Sequence, residues 1–201
     1  MIFGINSPND LFRKCAWDLE EVIRSRYSLR RYSYALMNFA SGLNLLPEWF
    51  IKDHESSSDQ KVECVIKFNP YEPHETKTLP VWFRKIYNGV PDIPRTNVHQ
   101  RQIRLICNRI KHVALRHELE VGHGKAKEYG VTVGGGFYLG DPKANAGYYE
   151  KYVYIYSIDD GGTKKDVQSL CTELLRQWTT FLWPNLPVAL RGKFFRPPYQ
   201  D

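Results

Sequence analysis

Apolar residues recur at intervals of three and four along most of this chain, and at intervals of two in one stretch past its middle. Leu11, Phe12, Cys15, Leu19, Val22 and Ile23 follow the turn residues Ser7-Pro8-Asn9-Asp10, which predicts a helix over 11–23 with Asp10 as its N-cap. Tyr32, Leu36, Phe39, Leu43, Leu46 and Phe50 predict a second helix from Ser28 to near Ile51, with Pro47 kinking its last turn or ending it. From Asp53 to Leu79 the helical period is lost and Ser56-Ser57-Ser58-Asp59 reads as loop. Within that segment Val62, Cys64, Ile66 and Phe68 alternate with Lys61, Glu63, Val65 and Lys67, the pattern of a short half-buried strand. Val81 to Tyr87 predicts a short helix, broken at Asn88-Gly89.

Thr96 or Asn97 opens the next predicted helix, which carries Ile103, Ile106, Ile110 and Val113 on one face and runs to about Glu120, ended by Gly122-His123-Gly124. Between Tyr129 and Asp160 the period is two. Val131-Thr132-Val133 and Tyr148 to Ile158 read as strands, the second placing Tyr152, Tyr154 and Tyr156 on one face and Val153 and Ile155 on the other. Gly134-Gly135-Gly136 and Asn145-Ala146-Gly147 supply the bends. A last helix starts from Thr163 and Asp166, carries Val167, Leu170, Cys171, Leu174, Leu175, Trp178, Phe181 and Leu182, and stops at Pro184. The expected fold is mainly α: one helical-bundle domain over 1–201, with a small antiparallel β-hairpin or meander inserted at 129–160.

Composition narrows the function classes. At 201 residues, 42% hydrophobic and 25% charged, the chain has the make-up of a globular protein with a sizeable core, and no apolar run reaches the roughly 18 residues of a membrane span. Cys15, Cys64, Cys107 and Cys171 lie far apart and form no Cys-x-x-Cys ligand pair. Residues 1–10 lack the basic and apolar regions of a signal peptide, so reduced thiols and a cytoplasmic location are expected. The formal charge of +6 favours anionic partners.

Part of that charge gathers on the helix from Asn97. Arg104, Asn108, His112 and Arg116 are successive i,i+4 neighbours, a polar stripe opposite the isoleucines, and Arg101, Arg109 and Lys111 lie on the same helix. Leu105 and Leu115 fall among them, which suits a self-association surface or groove as well as a solvated face. A histidine titrating near neutrality can move a proton while a guanidinium stabilises charge on phosphoryl oxygens, so the stripe has the chemistry for phosphodiester cleavage without a metal. In RNA the 2′-hydroxyl supplies the nucleophile. Other signals are weaker. Gly134-Gly135-Gly136 lacks the lysine of a phosphate loop, and His112 and His117 point about 140° apart on a helix and share no ligand face. The tyrosine row could stack on bases or pack on the bundle.

The run Leu105-Ile106-Cys107-Asn108-Arg109-Ile110-Lys111-His112 resembles the signature helix of HEPN-domain proteins, where an arginine and usually a polar residue precede a histidine by a short fixed gap. The segment Tyr34-Ala35-Leu36-Met37-Asn38-Phe39-Ala40 and the last helix with Trp178 also look like that family's bundle. The resemblance implies a frequently dimeric helical bundle, often a metal-independent endoribonuclease of toxin–antitoxin or antiviral defence systems. It implies no cofactor and no metal. His112, Asn108 and Arg104 are then the candidate catalytic residues, and Arg109, Lys111 and Arg116 the candidate RNA-binding ones. Where the family places its arginine this chain has Leu105, Ile106 or Cys107. Two readings follow: a homodimer that binds and cleaves RNA, or a degenerate HEPN-like module that binds nucleic acid or a protein, such as a nucleotidyltransferase or an antitoxin, without cutting.

Overall fold

The computed structural model describes residues 4–90, 92, 94–111, 120–133, 146–160 and 163–185. It is mainly helical, with one three-stranded antiparallel sheet. Helix α1 spans Pro8–Ser25. Ser7 rather than Asp10 is its N-cap: the Ser7 hydroxyl accepts from the Asp10 amide at 3.1 Å, and the Asp10 carboxylate accepts from the Ser7 amide at 3.2 Å. The helix therefore starts where these two residues satisfy its free amides, ahead of the first apolar position.

Helix α2, Leu29–Lys52, runs antiparallel to α1 and passes through Pro47 without ending. A proline has no N–H to return to the carbonyl four residues earlier, here that of Leu43. The side-chain amide of Gln100, itself 1% exposed, donates to that carbonyl at 3.4 Å and accepts from the indole N–H of Trp178 at 3.5 Å. A helix interruption is thus answered from a different helix. Elsewhere along α2, Gly42 gives α1 close approach: a Cβ built there would lie 2.6 Å from Cys15 Sγ.

The alternation across Val62–Phe68 does not make a strand. Residues Ser58–Phe68 form helix α3, with Ser57 and Gln60 in a capping box and Cys64, Val65 and Phe68 on the buried face. The period-two reading fails because Val65, placed on its polar side, is fully buried while Ile66 is exposed. A 3₁₀ turn over Pro73–Thr78 leads to α4, Val81–Tyr87, as the pattern predicts.

Helix α5 is Val98–Lys111. Asn97 caps it, accepting from the Gln100 amide at 2.9 Å. Residues 112–119 lie outside the described part, and Glu120 already belongs to a strand. The helix expected to reach Glu120 is corrected there, and Gly122-His123-Gly124 sits inside strand β1, Glu120–Val133, rather than at a helix end. Strand β2, Ala146–Asp160, pairs with β1 from Glu120↔Asp159 to Val133↔Ala146, and β3, Thr163–Asp166, pairs with the far end of β2. The sheet thus starts before the expected 129–160 insertion and reaches past it. Thr163 lies in β3, and Asp166 alone caps α6, Val167–Leu182, accepting from the Ser169 amide at 2.8 Å. The Gly134-Gly135-Gly136 bend lies outside the described residues.

The sheet docks on the α1–α2 turn. The Tyr154 amide donates to Arg26 O at 2.9 Å, the Tyr156 hydroxyl meets Ser33 Oγ at 2.6 Å, and the Tyr156 ring stacks on Tyr32. Tyr154 and Tyr156 pack against the core, so this part of the tyrosine row is used in folding. The core centres on Trp178, stacked 3.9 Å from Phe68 and bordered by Phe50 and Phe181. Among the described residues no helix is long and apolar enough to cross a membrane.

Replacing Gln100 by Leu strands the Leu43 carbonyl and the Trp178 indole, and is expected to cost about 1–3 kcal/mol. In a Pro47→Ala background α2 can bond its own carbonyl, so the same substitution should cost about 1 kcal/mol less. A urea-unfolding double-mutant cycle measures this; equal costs in both backgrounds would refute the proposed link.

Candidate functional site

Of the polar stripe, Arg104 and Asn108 lie among the described residues, and His112 and Arg116 do not. The two cations near the start of α5 are engaged within the fold. Asn69, fully buried, donates from its side-chain amide to Tyr71 O and Pro94 O, and its backbone carbonyl accepts from the Asn97 backbone amide at 2.7 Å. This ties the segment before the 3₁₀ turn to the start of α5, and lays Glu72 and Glu75 alongside α5's first turns. Arg101 then reaches Glu75 at 2.8 Å and Glu72 at 3.3 Å. Arg104 reaches the other Glu75 oxygen at 3.1 Å and lies 4.3 Å over the Tyr71 ring, leaving its side chain 19% exposed.

Burial pushes the Glu75 carboxyl up, yet the Glu72 amide and the Arg104 and Arg101 guanidiniums outweigh it, and its pKa falls below the ordinary glutamate range. Glu75 is therefore ionised near neutrality and neutralises part of the positive stripe. A guanidinium held by carboxylate and ring together has fewer donors left for a phosphate.

The positions where the resemblance would put an arginine face inward. Cys107 is 2% exposed and Ile106 is buried beside it, with Leu105 half-buried. An arginine at 107 would bring a charge into the core next to Cys171. Asn108 is half-buried on the next turn. Arg109 and Lys111 lie on the last turn of α5, and His112 and Arg116 fall outside the described residues, as does His117 of the metal alternative; His123 is in β1 opposite Tyr156. The structure brings Arg101 and Arg104 together on Glu75, and does not assemble a His/Arg pair among the described residues.

The four cysteines are free and buried. Burial pushes the thiols of Cys15, Cys64 and Cys171 up, which makes them packing groups rather than nucleophiles near neutrality.

A second basic surface was equally visible in the sequence and stands apart from the stripe. Arg24-Ser25-Arg26-Tyr27-Ser28-Leu29-Arg30-Arg31-Tyr32-Ser33-Tyr34 holds four arginines, three tyrosines and no acid. Folding places it at the corner where α1 turns into α2. Tyr32 turns inward and Leu29 is half-buried, while Arg24, paired with Glu20 at 3.5 Å, and Arg30 and Arg31 are exposed together with Tyr27 (43%) and Tyr34 (56%). Arg26 lies 5.3 Å over the Tyr27 ring and Arg30 5.9 Å over that of Tyr34. Arg30 and Arg31 occupy the first turn of α2, which has no acidic residue, and its N-cap Ser28 makes no side-chain cap bond. The positive helix end and two arginines thus add at one place, against the usual preference for anions there.

No family model, curated protein or solved structure matches this chain. The meaning of the site accordingly rests on its own chemistry.

Glu75→Gln should lower stability by about 1–2 kcal/mol near neutral pH. Because the folded carboxyl titrates below its ordinary value of 4.5, its contribution is complete above that value and is lost as pH falls through the folded one. Urea unfolding of wild type and variant should therefore converge in acid. A difference that does not shrink as pH falls below the ordinary value would contradict the clamp as an ionic contact.

Proposed function

We propose that this chain is a HEPN-like helical module that binds single-stranded RNA and does not cleave it. The observation that carries the reading is the α1–α2 corner: exposed Arg30 and Arg31 beside exposed Tyr27 and Tyr34, at a helix end whose dipole adds to their charge. Guanidiniums along such a surface draw phosphates by counterion release, and accessible tyrosine faces accept bases without sequence preference. Arg26 and Arg30, already over tyrosine rings, preorganise a surface of alternating cation and π-face.

Against cutting stand the engagement of Arg104 with Glu75 and Tyr71 and the burial of Cys107. Metal-independent cleavage needs a guanidinium free to follow charge onto the phosphoryl oxygens, and α5 spends Arg104 on holding the 3₁₀ turn. Asn108 and His112 keep their place in the resemblance without that partner.

Fluorescence anisotropy with a labelled single-stranded RNA, with chelator present, tests the reading. Binding is expected to weaken steeply with salt and by about tenfold or more in Arg30→Glu/Arg31→Glu, with the RNA intact after long incubation. Unchanged affinity in that variant would remove the corner from the function. Cleavage by wild type that His112→Ala abolishes would replace this reading with the nuclease.

A further inference from the structure

Helix α4 is only seven residues long, yet it has two working faces. Phe83 and Tyr87, four apart, enter the core, and Phe83 packs against Tyr71 and Trp82. Trp82 and Ile86, four apart, form a neighbouring stripe that is partly buried against the core; Lys85 lies three residues after Trp82, and Gly89 follows in the turn beyond α4. Helix α3 repeats the arrangement: Cys64, Val65 and Phe68 are buried, while Ser58, Lys61 and Val62 share a second stripe. The two stripes, with Ile51 and Lys52 at the end of α2, line an open cavity of about 500 Å³. That volume lies within the range of small-molecule sites.

The lining is chemically one-sided. Ile51, Val62, Trp82 and Ile86 supply apolar wall, Lys52, Lys61 and Lys85 supply charge, and no lining residue is acidic. Lys52 is paired with Glu48 at 2.5 Å. Among the described residues neither Lys61 nor Lys85 is paired with a carboxylate; Asp59 and Glu63, each two residues from Lys61 along α3, are off the lining, and Glu63 is bonded to Lys67 at 2.7 Å. Two ammonium groups not neutralised by the fold thus border a half-buried indole and three aliphatic side chains. Water alone serves such a wall poorly, and an apolar ligand alone would leave the ammonium groups without a counter-charge.

The geometry points to a binding site for a nucleoside monophosphate, its base against Trp82, Val62 and Ile86 and its phosphate between Lys61 and Lys85. The shared chemistry, a planar apolar ring joined to a phosphate, can arrive as a free nucleotide or as one unit of an RNA strand. The site is built from α2, α3 and α4 and does not depend on the arginine corner, so it stands or falls separately from RNA binding there.

Calorimetry on the full chain with adenosine monophosphate, adenosine and inorganic phosphate tests it. Adenosine monophosphate should bind with Kd below about 1 mM at low salt, and each fragment about tenfold or more weaker. Lys61→Glu/Lys85→Glu, two substitutions on accessible side chains, should weaken binding by about tenfold or more while circular dichroism stays that of wild type. The bound nucleotide should also shield Lys61 and Lys85, and not the distant Lys14, from amine acetylation in the wild-type chain. Competition by a short oligoadenylate would identify an RNA unit as the source of the ligand; its failure to compete would identify the free nucleotide. Absence of binding at about 5 mM, or binding indifferent to both lysines, overturns the proposal. Loss of RNA binding in Arg30→Glu/Arg31→Glu, with adenosine monophosphate still shielding Lys61 and Lys85 from acetylation, separates failure of the corner from failure of this site.

Discussion

A missing hydrogen-bond donor organises the bundle. Pro47 leaves α2 without the N–H that would have reached Leu43 O, deep where an unpaired carbonyl is costly. Gln100 supplies the donor and, through its own carbonyl, takes up the indole of Trp178. One side chain therefore fixes where α5 lies along α2 and how α6 meets both. Trp178, held by that bond and stacked on Phe68, in turn brings α3 into the same core. The contacts are polar at the centre and aromatic around it, which gives direction to packing that apolar area alone would leave degenerate.

The orientation of α5 has a functional consequence. With Gln100, Ile103 and Cys107 turned inward, Arg101 and Arg104 emerge beside the 3₁₀ turn and meet Glu72 and Glu75. The positive charge that α5 carries in its sequence is thus partly spent on the fold. The α1–α2 corner has no acid in its eleven residues: Arg24 reaches back to Glu20 at 3.5 Å, Arg30 and Arg31 stay exposed, and the sheet meets the corner through Tyr154 and Tyr156. Net charge alone does not distinguish these two surfaces; local pairing does.

Much of the fold was legible from residue order. Helices α1, α2, α4 and α6 follow their apolar period because each buries one continuous face. Alternation predicts a strand where α3 forms because Val65 and Ile66 exchange the roles it assigns them, although Ser57 and Gln60 spell a helix start. The end of α5 was misplaced for a different reason. The helical reading extends to about Glu120, but Glu120 pairs in the sheet with Asp159, a partner far away in sequence. Of the candidate site, the clustering of cations on α5 can be read directly, whereas apolar period shows the arginine and tyrosine corner only as the start of a helix.

The amino-acid order by itself determined a mainly helical chain with a period-two segment, a positive excess and its two concentrations, because these depend on residue type and spacing within a few turns. The tertiary structure decided which of those charges remain available. Arg104 loses its freedom to Glu75, and Cys107 lies inside rather than on a catalytic face. Lys61 and Lys85 come together across a cavity from helices that sequence spacing does not relate. Such outcomes depend on distances between segments remote in sequence. Here those distances follow from core packing around Trp178 and from the bonds of Asn69 and Gln100.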